Sequence, residues 1–288
     1  VAGAAQWHVR RALRPLRQVA AQTRAISPQN LHQRLTLVDP AEELQPWIEQ
    51  FNALMARLER AYAQLEAFNA DVAHELRTPL ATLIGETEVA LSRERSNEHL
   101  RDTLVSNLEE MQRLSAMVND MLFLAQADRG AVARRGEPVS LAALARQVVE
   151  FHEAPLEEAG LSLRIDGDAT LPVDEPLFKR ALSNLLGNAT RYAERGSTVV
   201  VRISEALAQT PEQVQVVVQN QGQAIAPAVL PRLFDRFFRG EDSRCCPEEQ
   251  HHGLGLAIVA AIARMHAGRT LAESDAGMTR VGFTLATR

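Results

Sequence analysis

Cysteine is almost absent from this chain of 288 residues, because Cys245 and Cys246 are its only two and they are adjacent. A disulfide framework is therefore excluded, and a reducing compartment is the natural setting. A surplus of positive charge is absent as well, since the formal net charge is −5. General nucleic-acid binders usually carry a basic surplus, so no nucleic-acid partner is expected.

Long apolar runs are also missing, and none reaches the eighteen or so residues of a membrane helix. The N-terminal stretch VAGAAQW is followed by Arg10, Arg11, Arg14 and Arg17. Two interpretations stay open. These arginines can mark the cytoplasmic edge of a membrane span that precedes the sequence, or they can belong to a basic amphipathic helix of a soluble chain.

What the sequence does have is helical periodicity. A first helix is predicted over residues 9–26, ending before Pro28. From Glu42 to about Leu91, apolar residues recur at three- and four-residue steps, and the same spacing returns after a polar turn. The apolar positions are Phe51, Leu54, Leu58, Tyr62, Leu65, Phe68, Val72, Leu76, Leu83 and Val89, then Leu100, Leu104, Leu108, Met111, Leu114, Val118 and Met121.

Two long helices joined by a short turn predict an antiparallel hairpin. A lone hairpin buries only part of its apolar stripe, so we expect two copies to form a four-helix bundle. The alternative is a monomer whose hairpin packs on its own downstream domain.

After a linker containing glycine and arginine, DRGAVARRGEP, the pattern changes to helices mixed with strands. Helices are predicted at 140–159, 176–192 and 255–266. The stretches LSLRID, TVVVRIS, VQVVVQN and RVGFTLA read as strands. This order predicts a two-layer α/β sandwich with one face of its sheet open to a ligand.

The stretch HELRTPL lies in the first long helix. A zinc-protease motif would need a second histidine four residues after His74, where Thr78 stands, so that interpretation fails. An imidazole beside the carboxylate of Glu75 remains, followed by Pro79, which bends a helix. A surface histidine next to a kink is the competing interpretation.

Two further motifs suit a phosphorylated ligand, and a third suits a flat base. In NLLGNATRY, Asn184 and Asn188 lie one helical turn apart, and amide oxygens are hard ligands that suit Mg²⁺. In HGLGLAIV, Gly253 and Gly255 precede an apolar helix whose free N–H groups can receive a phosphate. In QNQGQAIAP, a turn at Asn220 and Gly222 would let a flat base approach closely.

Together, in this order, the motifs resemble those of two-component sensor histidine kinases. HELRTPL resembles the phosphoacceptor box, NLLGNATRY the asparagine box, QNQGQAI the first glycine box, FDRFFRG the phenylalanine box and GLGLAIV the last glycine box. The N-terminal part resembles a HAMP relay domain. FLAQAD and LPRLFDRFFR are similar to the heavy-metal-responsive branch, which includes copper and silver sensors. The implied domains are a HAMP relay at 1–58, a dimerising phosphotransfer hairpin at 59–130 and an ATP-binding domain at 138–288.

The resemblance implies a role for each matching residue. His74 would accept the γ-phosphoryl group of ATP, Glu75 would act as base or orient the imidazole, and Thr78 would place a water for dephosphorylation of the partner. Asn188 and Asn184 would hold Mg²⁺. The remaining nucleotide contacts would come from Arg191, Tyr192, Asn220, Gly222, Arg236, Arg239, Gly253, Gly255 and Leu256, with Phe234 and Phe237 anchoring the lid.

The resemblance further implies a homodimer, a response regulator as partner, and a cytoplasmic portion of a bacterial inner-membrane protein whose membrane part lies outside this sequence. Two departures concern activity. Asn220 stands where the family has Asp, and His251 and His252 stand at positions usually held by Gly and a small residue. A degenerate kinase acting as a phosphatase or scaffold, and an ATPase of the gyrase and Hsp90 nucleotide fold, are the alternatives. A metal site from Cys245, Cys246, His251 and His252 is disfavoured, because the spacing matches no strong signature.

Overall fold

A computed structural model describes residues 14–36, 44–205, 213–239 and 252–287. The chain divides into two compact units, Val1–Arg77 and Thr78–Arg288. The long helix that carries the HELRTPL motif crosses from one unit into the other.

The first unit contains helix α1 (Arg14–Ala25), a short 3-10 turn (Pro28–Asn30) and the first part of helix α2 (Gln45–Leu91). A small apolar cluster joins them, with Val19, Leu35 and Ile48 buried. Asn52 of α2 fixes the connector, because its Oδ1 accepts from the N–H of Leu35 at 2.8 Å and its Nδ2 donates to the Leu35 carbonyl at 3.0 Å. The helix predicted over 9–26 is confirmed from residue 14 onward, and residues 9–13 lie outside the described part.

Helix α2 runs through Pro79 without interruption, and helix α3 (Asn97–Asp128) follows it. Ser96 begins α3 by accepting a hydrogen bond from the N–H of His99 at 3.2 Å, which satisfies one free donor of the first turn. Across the hairpin, Asn107 Nδ2 donates to Thr87 Oγ1 at 3.1 Å. The two predicted long helices are therefore confirmed. Within the described ranges, none of the helices is apolar over enough of its length to cross a bilayer.

The rest of the second unit is an α/β sandwich, and its class was predicted correctly. The strands are β1 (Pro138–Ser140), β2 (Ser162–Asp166), β3 (Thr170–Pro172), β4 (Thr198–Glu205), β5 (Gln213–Gln221), β6 (Thr270–Asp275) and β7 (Met278–Ala286), and the helices are α4 (Leu141–Glu158), α5 (Glu175–Tyr192) and α6 (Gly255–Met265). Five strands form a mixed sheet of order β2-β4-β5-β7-β6, in which β2 and β4 are parallel and the other neighbours are antiparallel. The three helices pack on this sheet.

The core lies between the sheet and these helices. Phe178 of α5 meets Phe283 of β7 edge to face, with ring centroids 6.2 Å apart, and both side chains are fully buried. Alternate residues of β4 point into this layer, as a half-buried strand requires, so Val199, Val201 and Ile203 are buried while Arg202 is exposed. The opposite face of β4 carries Val200, Arg202 and Ser204, which are half-buried or exposed, so this face is open, although the candidate site described below lies along a helix and not on it.

Three strands were not predicted. β1 and β3 have three residues each and pair only with each other, so neither is long enough to show a period of two. β6 reads TLAESD, and its small and acidic residues are mostly half-buried or exposed at the edge of the sheet. Their pairing partners, rather than their own composition, make these segments strands.

Candidate nucleotide site

Helix α5 is the element around which the candidate site is built. Asp174 caps it by accepting from the N–H of Leu177 at 3.2 Å, and Pro176 stands in its first turn, where a missing N–H costs nothing. The predicted pair Asn184 and Asn188 lies in its second half, one turn apart and partly buried. Asn184 Nδ2 donates to the carbonyl of Arg180 at 2.9 Å, which fixes the orientation of the amide.

Gly255 begins helix α6 beside Asn184. A side chain at this position would place its Cβ 2.8 Å from Asn184 Oδ1, so only glycine lets the two elements come so close. The residue before α6 is Leu254, which makes no side-chain cap. The N–H groups of the first turn, including that of Leu256, therefore receive no side-chain cap from Leu254. The amide oxygen of Asn184 lies beside the same turn. This combination suits a metal-bound phosphate.

Gly222 makes the equivalent close approach at the other end of α5. A Cβ here would lie 2.2 Å from the carbonyl oxygen of Tyr192. The N–H of Glu194 donates to the carbonyl of Gln221 at 2.8 Å, which ties the end of β5 to the end of α5. Asn220 lies beside this junction and is only 6% exposed.

The turn predicted at Asn220 is wrong in one respect, because Asn220 is the penultimate residue of β5 and only Gly222 lies beyond the strand. Strand pairing continues to this end, where Asn220 faces Thr279 of β7. The Nδ2 of Asn220 donates to the Gln221 carbonyl at 3.3 Å, so Oδ1 is the side-chain atom left to accept from a ligand.

Two separate motifs therefore meet α5, one at Asn184 through Gly255 and the other at Tyr192 through Gly222. Eight helical residues span about 12 Å. This stretch of α5 has hard-ligand and helix-N-terminus chemistry at Asn184, and an exposed aromatic ring with a buried amide beside it at Tyr192. A nucleoside polyphosphate has the same two-ended chemistry, with a charged chain at one end and a flat base at the other.

The phenylalanine box is tied to the last glycine box. The N–H of Phe237 donates to the Gly253 carbonyl at 3.0 Å, and both residues have positive φ, 57° and 66°. A Cβ on Gly253 would lie 2.8 Å from the Phe237 carbonyl carbon. Phe234 is partly buried just before this contact.

The three predicted phosphate-binding arginines occupy different places. Arg191 lies near Tyr192, with its guanidinium carbon 5.3 Å from the ring centroid. Arg236 donates from Nη2 to Asp128 Oδ2 of α3 at 2.5 Å. Arg239 is partly buried at the end of the described segment 213–239.

The phosphoacceptor motif lies on α2. His74 is exposed, while Glu75 is partly buried. Thr78 is exposed, and its carbonyl accepts from Thr82 Oγ1 at 3.2 Å. Pro79 is buried and cannot donate the helical hydrogen bond that other residues give, so it marks a weak point in the helix.

Some residues at the site were not predicted. Thr279 is buried opposite Asn220, and its Oγ1 lies 3.2 Å from Ser274 Oγ. Arg180 of α5 pairs with Asp120 of α3, and Asp128 of α3 pairs with Arg236. The register of β5 and β7 puts Thr279 there, and nothing in the local sequence signals it.

The lid metal site that the sequence disfavours falls largely outside the described residues, because Cys245, Cys246 and His251 are not among them. Within the part of the chain that the structure describes, no cluster of three or more His, Cys, Asp or Glu side chains could hold a metal ion.

Comparison with known protein families gives the domain order that the sequence motifs predict. Residues 13–60 match the PhoQ-like HAMP domain, residues 64–130 match the His Kinase A phospho-acceptor domain, and residues 173–288 match the histidine kinase-, DNA gyrase B- and HSP90-like ATPase domain. The chain belongs to the sensor histidine kinase family of two-component systems.

Sensor histidine kinase CusS of Escherichia coli K12 is 44% identical over 273 residues, which are 94% of this chain and 56% of that protein. The chain thus spans about half the length of the curated relatives it matches. The predicted likeness to the metal-sensing branch is confirmed by these relatives.

Solved structures agree on the fold. Full-length ShkA in complex with AMPPNP is 27% identical, with a TM-score of 0.56 over 76% of this chain and 46% of that chain. ThkA in complex with the response regulator TrrA is 21% identical, with a TM-score of 0.61 over 87% of this chain and 68% of that chain.

Proposed function

We propose that this chain is the kinase portion of a metal-responsive sensor histidine kinase, which phosphorylates His74 from Mg-ATP and passes the phosphoryl group to an aspartate of a response regulator. The observation that carries the proposal is the convergence of Gly255 on Asn184 and of Gly222 on Tyr192 along one helix. We propose the domain bounds 1–58, 59–130 and 138–288.

ATP would lie along α5 with its phosphates near Asn184 and its adenine near Tyr192. Asn188 and Asn184 would hold Mg²⁺ through their amide oxygens, and the metal would neutralise phosphate charge. Gly253, Gly255 and Leu256 would supply backbone N–H groups to the phosphates. Asn220 Oδ1 would accept from the adenine amino group without a charge, so the base would be held less firmly than by a carboxylate. ShkA, solved with the ATP analogue AMPPNP, supports ATP as the nucleotide.

The transfer itself asks mainly for positioning and charge neutralisation. A nitrogen of the neutral His74 imidazole would attack the γ-phosphorus, forming a P–N bond while the bond to the β,γ-bridging oxygen breaks and ADP leaves. Glu75 would take up the imidazole proton or orient the ring. The phosphoryl group would then pass to the regulator's carboxylate, and Thr78 would position a water for the reverse, dephosphorylating activity.

The hairpin supports a homodimer. Apolar side chains along α3 stay exposed in the single chain, among them Leu104 at 68% and Leu108 at 53%. The alternative of a hairpin packed on its own sandwich accounts for only the end of α3, where Asp120 and Asp128 pair with arginines of the sandwich. Association of two hairpins would cover the remainder. We place the portion on the cytoplasmic side of a bacterial inner membrane, joined to a sensor that receives a metal-ion signal.

Incubation with Mg²⁺ and γ-labelled ATP tests the proposal. We expect acid-labile, base-stable label in the wild-type chain and none in His74→Gln. The matched control is His99→Gln, an exposed histidine on α3, which should keep the label. Label that survives in His74→Gln would contradict the assignment. Mg-ATP binding without labelling would favour the ATPase or phosphatase alternative, and no binding would favour a scaffold.

A further inference from the structure

The C-terminal turns of α3 hold the sandwich through ion pairs on both sides of the candidate site. Asp120 pairs with Arg180 of α5, whose guanidinium carbon also lies 4.2 Å above the ring of Phe123. Asp128 accepts from Arg236 at 2.5 Å, and Arg264 of α6 lies 3.9 Å away. We call the contact of Asp120, Phe123 and Asp128 with these three arginines the α3 clamp.

The clamp reaches the elements that build the site. Arg180 precedes Asn184 by one turn, and its carbonyl accepts from the Asn184 amide. Arg236 precedes Phe237, which is bonded to Gly253 just before α6. A shift of α3 would therefore act on both the asparagine helix and the glycine turn.

The Asp120–Arg180 and Asp128–Arg236 ion pairs differ in the surroundings of their arginines. Arg180 also stacks on Phe123, so its guanidinium has an aromatic partner on α3 besides Asp120. Arg236 carries a charge beside the glycine turn, where a polyphosphate would bring several negative oxygens. The side chains of Arg236 and Asp128 are 28% and 46% exposed. Such a half-exposed pair is weak enough for a competing anion to displace.

We propose that Asp128 is a positioning residue that holds Arg236 on α3, and that nucleotide phosphate competes with Asp128 for this arginine. Binding of the nucleotide then loosens the α3 clamp, and loosening of the clamp strengthens nucleotide binding by the same factor, because coupling between two sites is reciprocal. A change in the hairpin thereby reaches the nucleotide site through one exchangeable ion pair. The inference rests on the proposed nucleotide site.

The test measures the affinity of the whole chain for AMPPNP with Mg²⁺ by calorimetry. Asp128→Asn removes the competing charge and should tighten binding about two- to fivefold, since a half-exposed ion pair contributes little. Asp128→Glu keeps a carboxylate within reach of Arg236 and should restore the wild-type value. Asp102→Asn removes an exposed carboxylate from the same helix and should change nothing. Asp120→Asn breaks the other pair of the clamp and should give less than half of the gain.

A double-mutant comparison identifies the arginine. In an Arg236→Gln background, Asp128→Asn should lose its effect, because the competed group is gone. Unchanged or weaker binding in Asp128→Asn would overturn the proposal, and so would an equal gain in Asp120→Asn or a gain that persists without Arg236. Failure of the wild-type chain to bind AMPPNP at all would instead overturn the proposed function, which keeps the two failures distinct. Thermal melts of each variant check that the fold is intact.

Discussion

The hairpin and the sandwich satisfy their apolar residues in different ways. In the sandwich, Phe178, Leu182, Leu186 and Phe283 are completely buried within one chain. Along α3, Leu104, Leu108 and Met111 remain more than half exposed. The apolar core of the sandwich is thus covered within a single copy, whereas this part of the hairpin stripe is left largely open to solvent.

We infer that this difference would separate catalysis from control. A self-contained sandwich would keep the candidate nucleotide site while the hairpin changes its packing, because the candidate site is built on α5, β5 and α6 and not on the stripe. The α3 clamp would then be the connection through which the hairpin acts, as we propose. Changes in the stripe should alter assembly, and changes in the sandwich core should alter folding.

The largest effect is expected when charges are introduced into the exposed apolar stripe of the hairpin. The double variant Leu104→Glu, Leu108→Glu should weaken dimerisation by more than about 5 kcal/mol, because unpaired carboxylates would enter an apolar interface. Sedimentation equilibrium measures it. Val132→Glu, a carboxylate added at an exposed linker position, should leave the dimer intact. A double variant that stays dimeric would show that the stripe is covered in some other way.

Truncation of a core side chain tests the statement that the sandwich buries its apolar residues within one chain. Phe283→Ala should lower the free energy of unfolding of the sandwich by about 3–5 kcal/mol, since it removes a fully buried ring that packs edge to face on Phe178. Urea titration followed by circular dichroism measures the loss. The matched variant Phe151→Ala removes a ring that is 86% exposed and should be nearly neutral. Similar losses in both would contradict the assigned core.

Helix caps offer a finer comparison. Asp174→Ala removes the cap of α5, together with a bond from the N–H of Arg134 at 3.2 Å, and should cost about 1–2 kcal/mol. Ser96→Ala removes the cap of the much longer α3 at an exposed turn and should cost about 0.5 kcal/mol. Asp174→Asn keeps a capping oxygen and serves as the control. Chemical denaturation measures all three, and a Ser96 effect as large as that of Asp174 would contradict this ranking.

The sequence predicted the parts of the fold that have a period, because α2, α3 and α5 each repeat apolar residues often enough to be recognised. The positions of Asn184 and Asn188 on one helix and of Gly255 at a helix start could be predicted because these are local features. Thr279 could not be predicted, since only the pairing of β5 with β7 puts it opposite Asn220. The pairing of Arg236 with Asp128 joins residues 108 positions apart, and no local pattern encodes it.

The smallest expected effect concerns the pH dependence of the sandwich, in which burial lowers the pKa of two histidines. His266 is 1% exposed, and its Nε2 accepts from the N–H of Asp174 at 3.2 Å. The other nitrogen, Nδ1, must then carry the proton that it donates to the Ile262 carbonyl at 2.9 Å. Burial lowers the pKa of His266, and the bond to Ile262 opposes this in part. Burial also lowers the pKa of His152, whose Nε2 lies 2.8 Å from Ser183 Oγ.

A lowered pKa in the folded state means that the unfolded chain binds the proton more tightly. The sandwich should therefore keep its full stability above the unfolded pKa of about 6.5 and lose stability as the pH falls below it. Urea titrations at pH 7.5 and 5.5 measure the loss. His266→Gln should be less stable at pH 7.5 but should show a smaller difference between the two pH values. His99→Gln, an exposed histidine of the hairpin, should retain the whole difference, and an unchanged difference in His266→Gln would assign the pH dependence to other groups.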